Sequence, residues 1–315
     1  MNAPARLPLD TQAIGLMLAL SLVWSFQQIA LKATAADFSP MLQIAIRSGV
    51  GALLLGIFMR WRAEALLPDR PLWAPGIIVG LLFGLEYLFV GEGLRHTSAA
   101  HIVVFLYTAP IFAALGLHWR LPAERLKALQ WAGIVAAFAG IVIAFLPIGQ
   151  GAVNTSPDML WGDLLALLGG IAWAATTIVI RCSGLAVLPA TQTLMFQLLG
   201  GFALLLPGAL IAGHTHFQPS PMVWAALAYQ CIIMSFFSFL IWFWMLRRYV
   251  ASQLGVLTFM TPLFAVVLGA WLLDETIEAR FLIGTALVAA GITLVSSHGL
   301  IQRRRDLRVD SRRST

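Results

Sequence analysis

Few side chains in this chain could take part in chemistry, and most of them interrupt long apolar stretches. Glu86 lies near the middle of one such stretch, with Tyr87 beside it. A carboxyl group among apolar residues could bind a substrate ammonium group, carry a proton, or form a neutral structural hydrogen bond. Tyr87 adds an aromatic face and a hydroxyl group at the same position.

Four further polar residues are expected nearer the ends of their apolar stretches: Arg47, Glu92, His101 and Asp163. An ion pair of Arg47 with Glu92 or Asp163 would hold the two halves of the protein together on one side. An unpaired Arg47 could instead bind a substrate carboxylate through two parallel hydrogen bonds. His101 could be a proton site or a packed side chain, because histidine titrates near neutral pH. We treat these four as candidates for a gate or a proton-linked site.

Aromatic residues form the third group of candidates. Trp24 and Trp173 each have polar residues one helical turn further along the same face. These residues are Gln27 and Gln28 after Trp24, and Thr176 and Thr177 after Trp173. Tyr107 and Phe259 each precede a proline by three positions, Pro110 and Pro262, which we expect to kink their helices. The set is typical of an amphipathic cavity wall, whereas Trp242 and Trp244 are expected at the membrane interface.

Sequence motifs argue against several classes of function. The Gly-x-x-x-x-Gly-Lys phosphate loop is absent, as are Gly-x-Ser-x-Gly, His-Glu-x-x-His and paired aspartates within apolar stretches. An ATP-driven pump and an intramembrane enzyme are therefore disfavoured. A channel is also disfavoured, since neither a ring of charges nor a filter sequence is present. We expect no cofactor, no metal and no nucleic-acid partner.

The elements that must position these residues are membrane helices. Of the 315 residues, 60% are hydrophobic and 11% charged, which is far from the composition of a soluble domain. Apolar windows of about 20 residues predict an all-α membrane protein with ten transmembrane helices. We place them near residues 13–33, 41–61, 73–94, 98–119, 125–147, 160–182, 190–212, 222–247, 252–272 and 280–299.

The distribution of basic residues predicts the orientation of these helices. With the N-terminus in the cytoplasm, cytoplasmic segments contain 16 of the 20 Lys and Arg residues and the other face contains three, with Arg47 inside a span. This asymmetry follows the positive-inside rule and predicts that both termini are cytoplasmic. The six arginines of the tail could also contact anionic lipid headgroups.

The sequence repeats itself. The segment around Pro110 recurs 152 positions later around Pro262, and Trp24 aligns with Trp173 at an offset of 149. Each half therefore contains five helices, and an odd number per repeat predicts two inverted five-helix repeats. That architecture is typical of secondary transporters, which bind substrate between the repeats near the midplane.

Two segments resemble known sequences. Residues 92–100, Glu-Gly-Leu-Arg-His-Thr-Ser-Ala-Ala, and residues 105–112, Phe-Leu-Tyr-Thr-Ala-Pro-Ile-Phe, resemble the third and fourth helices of the drug/metabolite transporter superfamily, EamA type. Ser252-Gln253, residues 262–265 and Asp274-Glu275 resemble the matching part of the second EamA repeat. The acidic end of the fourth helix is displaced to Glu124, which departs from the family pattern. Within the superfamily, the chain is most similar to YddG-like amino-acid exporters.

The resemblance implies a central path between helices 1–4 and 6–9, with helices 5 and 10 packed outside. It also implies export of amino acids, aromatic or otherwise neutral, by a multi-pass protein of a bacterial inner membrane. Our leading hypothesis is an amino-acid exporter that works by alternating access. The alternative is a broader metabolite or drug exporter of the same superfamily. The expected partners are a small-molecule substrate and membrane lipid, and a monomer is compatible with the sequence.

These observations divide the chain into five parts. Residues 1–12 form a cytoplasmic N-terminal arm and residues 13–147 form the first repeat. Residues 148–159 link the repeats on the non-cytoplasmic side. Residues 160–299 form the second repeat, and residues 300–315 form a basic cytoplasmic tail.

Overall fold

A computed structural model describes residues 6–93, 95–97, 99–122, 125–145, 157–272 and 281–295. Several predictions concern residues outside these ranges: most of the linker 148–159, the basic tail, and the acidic residues Glu124, Asp274 and Glu275. The side chains of Gln28 and His101 also lie outside what the structure describes.

Throughout the described ranges the chain is helical apart from turns, short 3₁₀ segments and two isolated bridges. The first half contains α1 (Thr11–Thr34), α2 (Pro40–Trp61), α3 (Trp73–Gly93), α4 (Ala99–Leu106), α5 (Ala109–Arg120) and α6 (Ala128–Phe145). The second half contains α7 (Pro157–Cys182), α8 (Ala190–Ile211), α9 (Pro221–Tyr229), α10 (Phe239–Arg248), α11 (Ala251–Leu257), α12 (Met260–Leu272) and α13 (281–295). A π-helical segment, Gln230–Ser238, joins α9 to α10.

Eight helical segments in the described part of the chain are long and apolar enough to cross a bilayer. Two shorter apolar helices, Ala128–Ala144 and Phe281–Val295, stand at the predicted fifth and tenth positions. The predicted boundaries agree with the observed helices to within about three residues. The helix starts that differ by three residues are those of α6, at Ala128, and of α7, at Pro157, which lies inside the predicted linker.

Two of the predicted spans are discontinuous at the same place in each repeat. One breaks at Tyr107 and Thr108, between α4 and α5, and the other at Thr258 and Phe259, between α11 and α12. At each break a threonine hydroxyl donates to a carbonyl three residues back, at 2.5 Å from Thr108 and 2.6 Å from Thr258. Because proline lacks an N–H donor, Pro110 and Pro262 suit the first turn of the helix that follows each break.

The last helix of each repeat shows how the repeats are related. A Cβ added at Gly133 of α6 would lie 2.7 Å from the carbonyl oxygen of Gly291 in α13, and one added at Gly140 would lie 2.6 Å from that of Gly284. The residue number increases from 133 to 140 along α6 while it decreases from 291 to 284 along α13, so the two helices are antiparallel. Since the repeat aligns Gly133 with Gly284 and Gly140 with Gly291, the contact is that of a pseudo-twofold axis.

A second pair of contacts obeys the same relation. The Ser21 hydroxyl of α1 donates to the carbonyl of Leu257 at the second break, at 3.5 Å. The equivalent of Ser21 is Gly170 in α7, and a Cβ added there would lie 2.9 Å from the carbonyl oxygen of Phe105 at the first break. The first helix of each repeat therefore packs against the broken helix of the other repeat, as inverted repeats require.

Glycines hold α3 close to α8. Gly80 faces the carbonyl oxygen of Phe196 and the Cα atom of Gly200, while Gly84 faces Leu204 and Gly76 faces the ring of Phe196. Residues 76, 80 and 84 form a Gly-x-x-x-Gly-x-x-x-Gly ridge, a pattern that lets the backbones of membrane helices approach closely. It fixes the depth of α3, which also contains Glu86 and Tyr87.

The loops meet at two ends of the bundle. We call the end of the bundle that contains Leu7 the N-terminal face. A parallel bridge joins Leu7 to Tyr249 there. Leu7 N donates to Arg248 O at 2.9 Å, and Val250 N donates to Leu7 O at 3.1 Å. At the opposite face, Phe38 pairs with Phe217 in an antiparallel bridge. Both faces are thus tied across the repeats in this structure.

Candidate functional site

Three of the predicted wall residues meet inside the bundle. The ring of Tyr107 packs edge-on against Trp173, with centroids 5.6 Å apart, and lies 6.1 Å from the ring of Phe259. Tyr107 and Phe259 come from the two helix breaks, so the discontinuities place one aromatic residue from each repeat beside α7. Trp173 retains some accessible surface, whereas Phe259 is fully buried.

Trp24 is connected to this group through Trp242, a residue expected at the membrane interface. Its indole packs edge-on against Trp242 at 5.5 Å, and its Nε1–H donates to the Ser238 hydroxyl at 3.1 Å. Trp242 and Trp173 both line one narrow internal space, together with Pro110, whose ring forms part of it. We call Trp24, Tyr107, Trp173, Trp242 and Phe259 the central aromatic cluster.

The prediction that Trp242 lies at the membrane interface is wrong. Its side chain is 8% exposed and faces the bundle interior. In the π-helical segment before it, bonds run from i to i+5, so the following side chains are rotated relative to a continuous α-helix. Trp244 stays at the rim near the N-terminal face, 36% exposed, with the guanidinium of Arg248 5.5 Å from its ring centroid.

Arg47 is the most unusual residue of the site. It is fully buried in α2, and none of its three side-chain nitrogens has a hydrogen-bond partner. Its Cζ atom lies 4.9 Å from the ring centroid of Tyr87 and 6.0 Å from that of Phe239. The expected ion pair with Glu92 or Asp163 does not form, because both acids are engaged elsewhere.

Glu92 and Asp163 belong to a group of contacts at the opposite face. Glu92 pairs with Arg95 at 3.1 Å, and Asp163 accepts a hydrogen bond from the Thr97 hydroxyl at 2.7 Å. His96 Nδ1 lies 2.7 Å from Asp158 at the start of α7. The hydrogen bond from Asp158 raises the pKa of His96 above its usual value. These contacts link the two repeats on one side, which is the role that had been predicted for Arg47.

An unpartnered buried guanidinium is energetically expensive. Removing an ion from water costs several kcal/mol even after the protein relaxes. A cation–π contact returns about 0.5–2 kcal/mol, so Tyr87 and Phe239 offset only part of this cost. A site that holds Arg47 in this state is therefore suited to receive an anion.

Glu86 lies close enough to interact electrostatically with Arg47, Tyr87 and Tyr107. The part of the chain that the structure describes offers its carboxyl group neither a hydrogen bond nor an ion pair. The side chain lies deep among protein atoms and yet keeps some accessible surface.

Polar side chains of α2 face the π-helical segment. Gln230 Nε2 donates to Gln43 Oε1 at 2.5 Å, and a Cβ added at Gly51 would lie 2.9 Å from the Cβ of Ser235. Arg47 lies between Gln43 and Gly51 on the same helical face. The sequence reasoning missed Ser238 and Trp242, although the serines at 235 and 238 are polar interruptions in an otherwise apolar run.

The remaining predicted wall residues are buried but less informative. Gln27 is 2% exposed, and the Thr176 hydroxyl is buried without a partner. The Thr177 hydroxyl donates back to the Trp173 carbonyl at 3.4 Å, and Thr177 lines the same narrow space as Trp173. Among the described residues no group of three or more His, Cys, Asp or Glu side chains could hold a metal ion.

Comparison with known proteins identifies similar sequences and one similar fold. The profile of the EamA-like transporter family matches residues 11–146 and 160–297. The chain is 24% identical to the uncharacterized transporter YoaV of Bacillus subtilis (strain 168) over 284 residues, covering 88% of this chain and 94% of that protein. It is 24% identical to the uncharacterized inner membrane transporter YedA of Escherichia coli (strain K12), covering 90% of each. One crystal structure, at 23% identity, has a TM-score of 0.76 and covers 90% of this chain and 98% of that chain.

Proposed function

The chain belongs to the EamA-like transporter family and is a multi-pass membrane transporter. We propose that it exports amino acids across a bacterial inner membrane. The substrates in this proposal are aromatic or other neutral amino acids. The proposal includes ten spans, with the two shorter helices counted as the fifth and tenth, and both termini in the cytoplasm. It involves no catalytic step.

The observation that supports this substrate class most directly is the central aromatic cluster. It combines residues of both repeats, and Trp24 and Trp173 retain accessible surface in the interior. Aromatic rings offer large apolar contact areas, and the indole N–H and tyrosine hydroxyl add polar contacts at the edge. Such a wall suits a substrate with an apolar or aromatic side chain.

The proposed mechanism is alternating access. The broken helices meet the first helix of the opposite repeat at the centre of the bundle, so a rocking motion of one repeat would leave the site in place. Each face is held by a backbone bridge between the repeats, Leu7 with Tyr249 at the N-terminal face and Phe38 with Phe217 at the opposite face. The opposite face has, in addition, the side-chain contacts around His96. Opening one face at a time would expose the cluster to one compartment at a time.

A second candidate is a broader metabolite or drug exporter. The cluster is chiefly aromatic, and flat apolar walls bind many planar solutes with little discrimination. Both relatives described above are named as uncharacterized transporters, so their names do not separate the two candidates. Competition by unrelated planar cations, compared with competition by amino acids, would distinguish them.

The proposal is tested by counterflow of radiolabelled phenylalanine in proteoliposomes. Trp24→Ala and Trp173→Ala should each lower the rate by about tenfold or more, because each removes a large apolar contact with the substrate. Trp119→Ala is the matched control, since Trp119 is 71% exposed on α5, and its rate should stay near that of the unmodified protein.

Two results would count against the proposal. If neither phenylalanine nor any other amino acid shows saturable counterflow, the amino-acid assignment is wrong. If flux is preserved in both cluster variants, amino acids do not pass along this wall.

A further inference from the structure

We propose that Arg47 and Glu86 together bind the charged head group of an α-amino acid, with Arg47 contacting the carboxylate and Glu86 contacting the ammonium group. This inference rests on the proposed function and deepens it, because it assigns the polar part of the substrate to two residues. The substrate class would then be zwitterionic amino acids, as distinct from amines, simple acids or apolar solutes.

The first argument is the state of Arg47. A guanidinium presents five N–H donors in one plane, and here every side-chain nitrogen is buried without an acceptor. The ring centroids of Tyr87 and Phe239 lie 4.9 Å and 6.0 Å from its Cζ atom. The Tyr87 side chain is near enough to interact with the guanidinium but forms no hydrogen bond of good geometry with it. A carboxylate offers two coplanar oxygens, which match this donor arrangement.

The second argument is the relation between Arg47 and Glu86. Arg47 is seven residues from the start of α2 at Pro40, and Glu86 is seven residues from the end of α3 at Gly93. At about 1.5 Å per residue, both lie roughly 10 Å from the helix ends at the opposite face. They interact electrostatically but do not form an ion pair with each other.

Arg47 and the Glu86 carboxyl group lie at one depth, and neither has a direct hydrogen-bond partner among the described residues. A ligand that carries both an anionic group and a hydrogen-bond donor could therefore contact both. In an α-amino acid the carboxylate and ammonium groups are attached to the same carbon atom, so one head group could contact both. Binding would satisfy the donors of Arg47 and the acceptors of Glu86 in one step. A direct ion pair between Arg47 and Glu86 would instead stabilise the fold and leave neither residue available to a ligand.

The third argument is the position of the aromatic residues. Tyr87 is adjacent to Glu86, and Glu86 also interacts electrostatically with Tyr107, which packs on Trp173 and Phe259. Phe239 follows Ser238, the acceptor of the Trp24 indole. Arg47 and Glu86 therefore lie beside the central aromatic cluster, and a head group bound there would direct its side chain towards that cluster.

The test uses three probes that share the phenyl group and differ in the head group: phenylalanine, phenethylamine, which lacks the carboxylate, and 3-phenylpropionate, which lacks the ammonium group. Binding to the purified protein is measured by the ligand-induced rise in melting temperature and by titration of tryptophan fluorescence. For the unmodified protein, phenylalanine should bind more tightly than either analogue, by roughly 10- to 100-fold for each missing charged hydrogen-bond partner.

Variants then assign each charge to a residue. Arg47→Gln should weaken binding of phenylalanine and 3-phenylpropionate and leave phenethylamine unchanged. Glu86→Gln should weaken phenylalanine and phenethylamine and leave 3-phenylpropionate unchanged. Arg60→Gln is the control, because Arg60 is an exposed arginine near the other end of α2 and should change none of the three. Size-exclusion chromatography checks that each variant is folded, and the analogue series on the unmodified protein needs no variant.

The inference and the proposed function can fail separately. Equal binding of phenylalanine and phenethylamine to the unmodified protein, or unchanged phenylalanine binding in folded Arg47→Gln and Glu86→Gln, would overturn the head-group assignment. Saturable phenylalanine counterflow would still support the proposed function in that case. Absence of any amino-acid flux or binding in the unmodified protein would overturn the proposed function itself.

Discussion

Replacing Gly80 by alanine should destabilise the protein by separating α3 from α8. The new Cβ would lie 3.2 Å from the Cα of Gly200 and 3.3 Å from the carbonyl carbon of Phe196, and closer still to the Phe196 carbonyl oxygen. All three atoms belong to the backbone, so no side-chain rotation can relieve the overlap. Overpacking of this kind costs about 1–3 kcal/mol.

Gly91→Ala provides a matched control on the same helix. A Cβ added at Gly91 meets no atom within 4 Å. Both substitutions gain the same helix propensity, about 1 kcal/mol, so this contribution cancels when the two variants are compared. The comparison therefore isolates the cost of the contact between α3 and α8.

The assay is thermal denaturation in detergent followed by size-exclusion chromatography. Each kcal/mol lowers the melting temperature of a domain by roughly 2–4 °C, so Gly80→Ala should melt several degrees below Gly91→Ala. Transport by Gly80→Ala should also fall, because α3 positions Glu86 and Tyr87. Equal melting temperatures for the two variants would refute the argument that backbone contact at Gly80 holds the helices together.

Two further predictions concern the two faces. Asp158 raises the pKa of His96, so the stabilisation from this contact should be complete below about pH 6.5 and disappear as the pH rises through the folded-state pKa. The measurement is the difference in melting temperature between the unmodified protein and Asp158→Asn. A difference that did not shrink with rising pH would contradict this prediction. At the N-terminal face, Leu9→Ala should cost about 2–5 kcal/mol in thermal or denaturant unfolding, because Leu9 is fully buried. Leu7→Ala should change stability by about 0.5 kcal/mol or less. The Leu7 side chain is 44% exposed, and its hydrogen bonds to Arg248 and Val250 use only the backbone. Equal losses of stability in Leu9→Ala and Leu7→Ala would contradict this prediction.

Hydrophobicity and internal repetition predicted most of the fold. Apolar windows located the helices, because the bilayer thickness sets the length of a span and because backbone groups in lipid must be paired within the helix. The alignment of Pro110 with Pro262 predicted kinks at equivalent places in the two repeats, and the structure has helix breaks there.

The candidate site was predicted in part. The side chains of Trp24, Trp173, Tyr107 and Phe259 were expected to share one wall, and the structure places three of them in direct contact and the fourth next to Trp242. Neither this placement nor the comparisons test whether the wall binds substrate, which stays a prediction. Phe239 was not foreseen as a neighbour of Arg47, because it comes from a different helix of the other repeat.

The sequence by itself determined which residues lie in the membrane and which polar groups are too costly to be there by chance, because that cost depends only on composition and local length. Tertiary structure alone decided which of these groups meet. Arg47 faces Tyr87 and Phe239 and not Glu92 or Asp163, because α2 packs on α8 and on the π-helical segment. Trp242 faces inward because bonding from i to i+5 between Gln230 and Ser238 rotates the helix that follows, and a run of apolar residues does not reveal such a change in register.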